Sequence, residues 1–274
     1  MSTIDRIKLG FKNATIVEQI IYINTLLFVV SLFSMPFITK WFTLSSNLDI
    51  FFTKPWTLIS YGFFHGDFPH VLFNMIFLYY IGDLFLQFFS KKQFINYFFL
   101  GIVAGGIAFL AINPSGYLVG ASAGLMAIIV GIATKIPTYD IRLRLIGGVK
   151  LWVIAAFYVG LSIIDLKGDN FGGNIAHLGG ALLGFVYTKQ LEKGMDIGKW
   201  FENSINYLTI IFKPKKSTPF KTVYKNKDIK RKPTHKESNV HQQKIDVILD
   251  KISKSGYDAL SKEEKDFLFK AGKK

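Results

Sequence analysis

No cysteine occurs in the 274 residues, which excludes disulfides, thiolate metal sites and a cysteine nucleophile. Charge is scarce as well. Only 19% of residues are Asp, Glu, Lys or Arg against 50% hydrophobic, and mean hydropathy is +0.30. A soluble helical domain interrupts its apolar residues with polar faces at helical spacing; most of residues 16–190 lacks such faces. A cleavable leader is not indicated either. The first apolar block, Ile16–Ile38, is too long for a signal-peptide core and carries no A-x-A pattern, so it reads as a retained anchor.

What the chain has instead is 27 Phe and a series of long apolar blocks. About 20 apolar residues cross a hydrocarbon core of roughly 30 Å. Six spans are predicted on this basis: Ile16–Ile38, His70–Phe89, Phe94–Ile112, Gly120–Ile136, Val149–Ile164 and Gly173–Thr188. The fold class is therefore an all-α polytopic membrane protein. Eleven basic residues flank the spans on one side (Arg6, Lys8, Lys12, Lys91, Lys92, Lys135, Arg142, Arg144, Lys150, Lys189 and Lys193), and three on the other (Lys40, Lys54 and Lys167). The positive-inside rule places both termini in the cytoplasm, in the inner membrane if the cell is bacterial.

In that orientation spans two, four and six all begin on the outer side, and each carries a polar residue near its start. His70 opens the second, Ser122 opens the fourth, and His177 follows about one turn into the sixth. At a rise of 1.5 Å per residue the three share a depth. Ionisable groups inside a span are costly and mark functional sites. A serine hydroxyl is a weak nucleophile until a neighbouring base takes its proton, and His177 is the preferred base for Ser122. Gly172, Gly173, Ala176, Gly179, Gly180 and Gly184 surround it at spacings that let the sixth span press against the fourth. His70 and Asn74 lie four residues apart, on one helical face. Their donors, with the backbone N–H groups at Ser122, can hold an oxyanion. Asp67, Asp83, Asp165 and Asp169 each have a capping or solvated reading, so no carboxylate is assigned as a third member. These residues point to hydrolysis within the bilayer.

The runs His70-Val71-Leu72-Phe73-Asn74, Gly120-Ala121-Ser122-Ala123-Gly124 and Ala176-His177-Leu178-Gly179-Gly180 resemble, in order and spacing, the rhomboid intramembrane serine proteases. The resemblance covers roughly residues 16–190. It implies a six-helix rhomboid-like bundle with Ser122 as nucleophile and His177 as base of a dyad without aspartate. It further implies His70 and Asn74 as oxyanion donors, Gly120 and Gly180 as supporting glycines, and single-span membrane proteins as substrates. No metal or organic cofactor is expected. Two positions depart from the family pattern. Trp56-Thr57 stands where a tryptophan-arginine pair is common, and Met126 stands where an aromatic often stacks on the base. The alternative is a catalytically silent rhomboid-like protein that binds membrane proteins for quality control. Silent relatives usually lack the serine or the base, and both are present here.

Beyond the spans the composition changes, which divides the chain into a membrane domain (1–194), an interfacial segment and basic linker (195–239), and a small cytoplasmic C-terminal helical hairpin (240–274). Lys199–Phe212 is predicted to lie along the inner membrane surface. From Lys213 to Lys232 there are nine Lys/Arg and one acidic residue, Asp228, a composition suited to anionic lipid rather than nucleic acid. In the hairpin, Ile245, Ile248, Leu249 and Ile252 share a face, and Ser261-Lys262-Glu263-Glu264 has the form of a capping box.

Overall fold

A computed structural model describes residues 2–112, 115–143, 147–212 and 236–272. The chain forms two compact units, Met1–Lys213 and Pro214–Lys274. The first unit opens with helices α1 (Thr3–Asn13) and α2 (Ile16–Leu32), each started by a capping box, Ser2 with Asp5 and Thr15 with Glu18. Both arrangements pair a side chain with an otherwise orphaned N–H at the helix entrance.

Here the structure corrects the predicted first span. The helix does not run to Ile38; it stops at Leu32, and a separate helix α3 (Met35–Phe42) begins after Ser34. Pro36 is the physical reason, since proline is tolerated in a first turn but breaks a helix interior. Then follow strand β1 (Leu44–Ser45) and the short helices α4 (Leu48–Thr53) and α5 (Thr57–Ser60). The long helices α6 (Phe68–Phe88) and α7 (Lys91–Ile112) come next, followed by β2 (Tyr117–Leu118) and α8 (Ser122–Lys135). The unit closes with β3 (Asp140–Leu143), β4 (Gly147–Lys150), α9 (Leu151–Ile164), α10 (Phe171–Glu192) and α11 (Lys199–Phe212). The two short antiparallel pairs, β1 with β2 and β3 with β4, depart from a purely helical reading. Val149, predicted to begin a span, pairs with Ile141 in the second of them. Among the described residues, α6 and α7 are long and apolar enough to cross a membrane, while α2 and α8 are apolar but shorter.

Helix α8 is the centre of this unit. Ala123 through Ile129 are all buried, and the helix packs chiefly against α7 and α10, with α6 and α9 beside it. Its apolarity is therefore satisfied by protein. The outer faces of α2 and α9 instead expose Leu26, Val29, Phe157 and Leu161, as lipid-facing surfaces do. Small residues make the central contacts possible. A Cβ on Gly105 of α7 would fall 2.5 Å from the Ala123 Cβ, and one on Gly180 or Gly184 of α10 would strike the Ala123 or Ala127 carbonyl oxygen. Away from Ser122, Tyr97 Oη and Thr188 Oγ1 lie 2.6 Å apart, and Thr188 donates to the Gly131 carbonyl at 3.0 Å. Asn96 ties α11 to the same region through Tyr187 (3.0 Å) and Glu202 (3.2 Å).

The second unit contains α12 (Lys236–Ser255) and α13 (Lys262–Ala271). Gly256, at φ +78°, ends the first of these, and the Ser261–Glu264 capping box starts the second. Ile248 and Leu260 are buried, and Lys251 Nζ donates to both Glu264 carboxylate oxygens at 2.9 Å. The basic tract predicted at Lys213–Lys232 lies outside the described residues.

Glu264 yields a pH prediction. The hydrogen bond from Lys251, then the capping contacts with Ser261, lower its pKa from 4.5. A depressed carboxylate contributes stability above its unfolded value and loses it as pH falls through the folded one. Acidification through pH 4.5 and below should therefore speed amide exchange at the start of α13, after correction for intrinsic rates. Glu264→Gln should remove the pH-dependent part, and hydrogen–deuterium exchange on the full chain reads both.

Candidate active site

Ser122 is the first residue of α8, directly after a turn that only glycine adopts easily. Gly120 has φ +116°, a conformation with a steric penalty for residues bearing a Cβ. Space gives a second reason for glycine here. A Cβ at Gly120 would lie 2.7 Å from His70 Nε2 and 3.7 Å from Ser122 Oγ, so the imidazole and the hydroxyl flank one small opening. The Gly120 N–H donates to the Tyr61 carbonyl at 3.0 Å, and Tyr61 Oη donates to the Ile102 carbonyl at 2.6 Å. The segment before α6 thereby holds the turn that carries Ser122.

His177 sits nearly two turns into α10, deeper than the one turn predicted, because the helix begins at Phe171. Its Nε2 lies 2.7 Å from Ser122 Oγ, across 55 residues of chain. The close approach of Gly180 to Ala123 brings α10 near enough for that distance. On the other edge of the ring, His177 Nδ1 lies 3.1 Å from Ser162 Oγ of α9. The sequence alone does not mark Ser162. Its only signal was a small hydroxyl in the otherwise apolar run Leu151–Ile164, which reads as ordinary bonding to the preceding helical turn.

His70 lies in the first turn of α6, where Asp67 caps the helix by accepting from the His70 N–H at 2.8 Å. Asn74 follows one turn later. It is buried, and its Nδ2 has no hydrogen-bond partner among the described residues, an arrangement that costs stability unless something else accepts from it. His65 is also buried, both ring nitrogens lack partners among the described residues, and its ring meets the His70 ring edge-on at 5.0 Å. Burial first, and the neighbouring His70 second, push the His65 pKa down to about 3.

Asp67 is taken up by the cap of α6, and Asp165 by a different turn. Asp165 Oδ2 accepts from Asn174 Nδ2 at 2.8 Å, which fastens the turn before α10. Met126 is buried in α8. Thr57 is buried and donates to the Lys54 carbonyl at 2.7 Å, while Trp56 Nε1 donates to the Trp41 carbonyl at 2.8 Å. That segment is thus anchored by indole and hydroxyl. Among the described residues no cluster of three or more His, Asp or Glu could hold a metal ion.

Comparison with known proteins places the chain in a family. A rhomboid domain model matches residues 53–193, just over half of the chain, and the chain belongs to the rhomboid family. Members of this family are integral membrane proteins and typically serine proteases. A second model, a family of unknown function (DUF6576), matches residues 234–273. The chain is 27% identical to "Rhomboid-like protease 3" of Toxoplasma gondii over 154 residues, 53% of this chain and 56% of that protein. It is 25% identical to "RHOMBOID-like protein 12, mitochondrial" of Arabidopsis thaliana over 206 residues, 68% of this chain and 61% of that protein. It therefore spans less than two thirds of each relative.

Proposed function

We propose that the protein is an intramembrane serine endopeptidase that cleaves transmembrane segments with a Ser122–His177 dyad. The observation that carries this reading is the 2.7 Å approach of His177 Nε2 to Ser122 Oγ. In the reaction His177 takes the Ser122 proton as Oγ bonds to the substrate carbonyl carbon. The oxyanion so formed accepts from His70, Asn74 and the first N–H groups of α8, whose positive dipole end faces it. His177 then gives its proton to the leaving amine, and water hydrolyses the acyl-enzyme by the same route reversed. No metal or organic cofactor takes part.

Six spans belong to this proposal, built on α2, α6, α7, α8, α9 and α10. Both termini are cytoplasmic, as the eleven-to-three excess of basic residues supports. Substrates are single-span membrane proteins, whose helix must unwind to present a carbonyl at Ser122. The basic tract contacts anionic lipid, and the helices α12 and α13 form a cytoplasmic hairpin.

The direct test of the nucleophile is labelling of the purified protein with a fluorophosphonate. One adduct is expected, on Ser122, absent in Ser122→Ala and much slower in His177→Ala. An unlabelled Ser122 in folded protein would return the chain to the silent, membrane-protein-binding reading.

The oxyanion donors carry a prediction of their own. His70→Ala and Asn74→Ala should each lower kcat by about 10-fold to 1,000-fold with KM little changed, since these donors act as charge develops on the carbonyl oxygen. Steady-state kinetics on a transmembrane reporter checks this. A raised KM with kcat preserved would reassign the pair to substrate docking.

A further inference from the structure

The dyad leaves one edge of the His177 ring to be explained. Ser162 is buried, and its Oγ lies 3.1 Å from His177 Nδ1 and 3.1 Å from the Tyr158 carbonyl oxygen. A carbonyl can only accept, and a serine has one hydrogen to give. When that hydrogen goes to Tyr158, the Ser162 oxygen meets His177 with a lone pair, and Nδ1 must be the protonated nitrogen. Nε2 is then left with its lone pair directed at the Ser122 hydroxyl, 2.7 Å away. Every hydrogen bond in the row Tyr158, Ser162, His177, Ser122 runs in one direction.

The opposite tautomer breaks this row. Ser162 would have to turn its hydrogen from Tyr158 to Nδ1, and an N–H rather than a lone pair would face Ser122. A histidine in that state cannot take the serine proton. Among the described residues the hydrogen-bond partners of the His177 ring are Ser162 and Ser122 rather than a carboxylate, and Asp165 instead accepts from Asn174.

We propose that Ser162 is a positioning residue that fixes the Nδ1–H tautomer and the ring plane of His177, an inference that rests on the Ser122–His177 dyad reading. The contact persists through the reaction. After Nε2 gains the serine proton, Nδ1–H still donates to Ser162 Oγ, so the ring does not swing as charge appears. The base is in this way held by two helices, α10 through its backbone and α9 through one hydroxyl.

The test combines turnover with a nitrogen spectrum. Wild type and Ser122→Ala are first compared on a single-span transmembrane reporter in detergent, which decides the dyad reading alone. Ser162→Ala is then expected to lower kcat by about 10-fold to 100-fold with KM within about twofold, in the range of lost orienting contacts to a functional histidine. Ser162→Thr keeps the hydroxyl and should restore most of the rate. In protein labelled with 15N-histidine, the His177 signals, identified by their loss in His177→Gln, should show Nδ1–H in wild type and Ser162→Thr. They should show mixed or Nε2–H imidazole in Ser162→Ala. Should Ser162→Ala fail to fold, Ser162→Cys, similar in size and a much weaker hydrogen-bonding partner, replaces it.

Unchanged kcat and tautomer without the hydroxyl, in an enzyme that depends on Ser122, would overturn the assignment while leaving the dyad standing. An equal loss in Ser162→Thr with the wild-type tautomer kept would overturn it in favour of simple packing. The nitrogen spectrum needs no turnover, so it decides the tautomer even where the reporter is not cut.

Discussion

Ser122→Ala and His177→Ala are each expected to lower turnover of a transmembrane reporter by about 10,000-fold or more, and the double variant is expected to be little worse than either. Nucleophile and base act as one unit: without His177 the Ser122 hydroxyl keeps its proton, and without Ser122 the imidazole has nothing to activate. The 2.7 Å contact between them is the only polar contact the two helices make at this point among the described residues. Packing should survive both changes, since Ser122 and His177 are only partly buried. Thermal unfolding within a few degrees of wild type, together with kinetics of the three variants, checks this. Losses that multiplied in the double variant would mean that the two residues act independently.

The second large effect is expected from Gly180→Val. Even one Cβ at this position would fall on the Ala123 carbonyl oxygen, closer than such atoms approach in real structures. The obstacle is backbone, so it cannot rotate away, and α8 and α10 must separate. Overpacking of this kind costs about 1–3 kcal/mol. Separation also draws His177 from Ser122, and a misplacement of about 1 Å can lower the rate about 100-fold. Activity should consequently fall further than stability does. Gly160→Ala is the matched control, because a Cβ there meets nothing within 4 Å; it should be neutral in both unfolding and cleavage.

Much of the helical arrangement is legible in the sequence because apolar runs this long can do little except form buried or lipid-facing helices. The helix predicted from Phe94 to Ile112 forms from Lys91 to Ile112, and the Ser261 capping box forms as its spacing requires. Failures occur where composition conceals a local rule. Ile16–Ile38 is apolar throughout most of its length, yet Pro36 cannot donate within a helix, and the chain breaks at Phe33 and Ser34. The pair β1 with β2 comprises two residues from each strand, which leaves too short a run for alternation to register.

The candidate site divides in the same way. Ser122 and His177 stand out because apolar helix packing alone has no use for a hydroxyl and an imidazole set among small residues. The turn at Gly120 combines a positive φ with a crowded side, and sequence marks only the glycine, not the His70 ring beside it. Ser162 is illegible for the opposite reason. A serine in an apolar helix usually bonds back to its own preceding turn, as this one does with Tyr158, and only the folded chain brings His177 to its other side.

The measurement that bears most directly on the central claim is product analysis after cleavage in liposomes. Purified protein and a single-span reporter, with a segment of small residues near its outer end, are reconstituted together, and the fragments are weighed by mass spectrometry. One principal cut inside the transmembrane segment is expected, made by wild type and absent with Ser122→Ala. An intact reporter with wild-type protein that is folded and correctly inserted, or the same cut made by Ser122→Ala, would contradict the assignment of Ser122 as the nucleophile of an intramembrane protease.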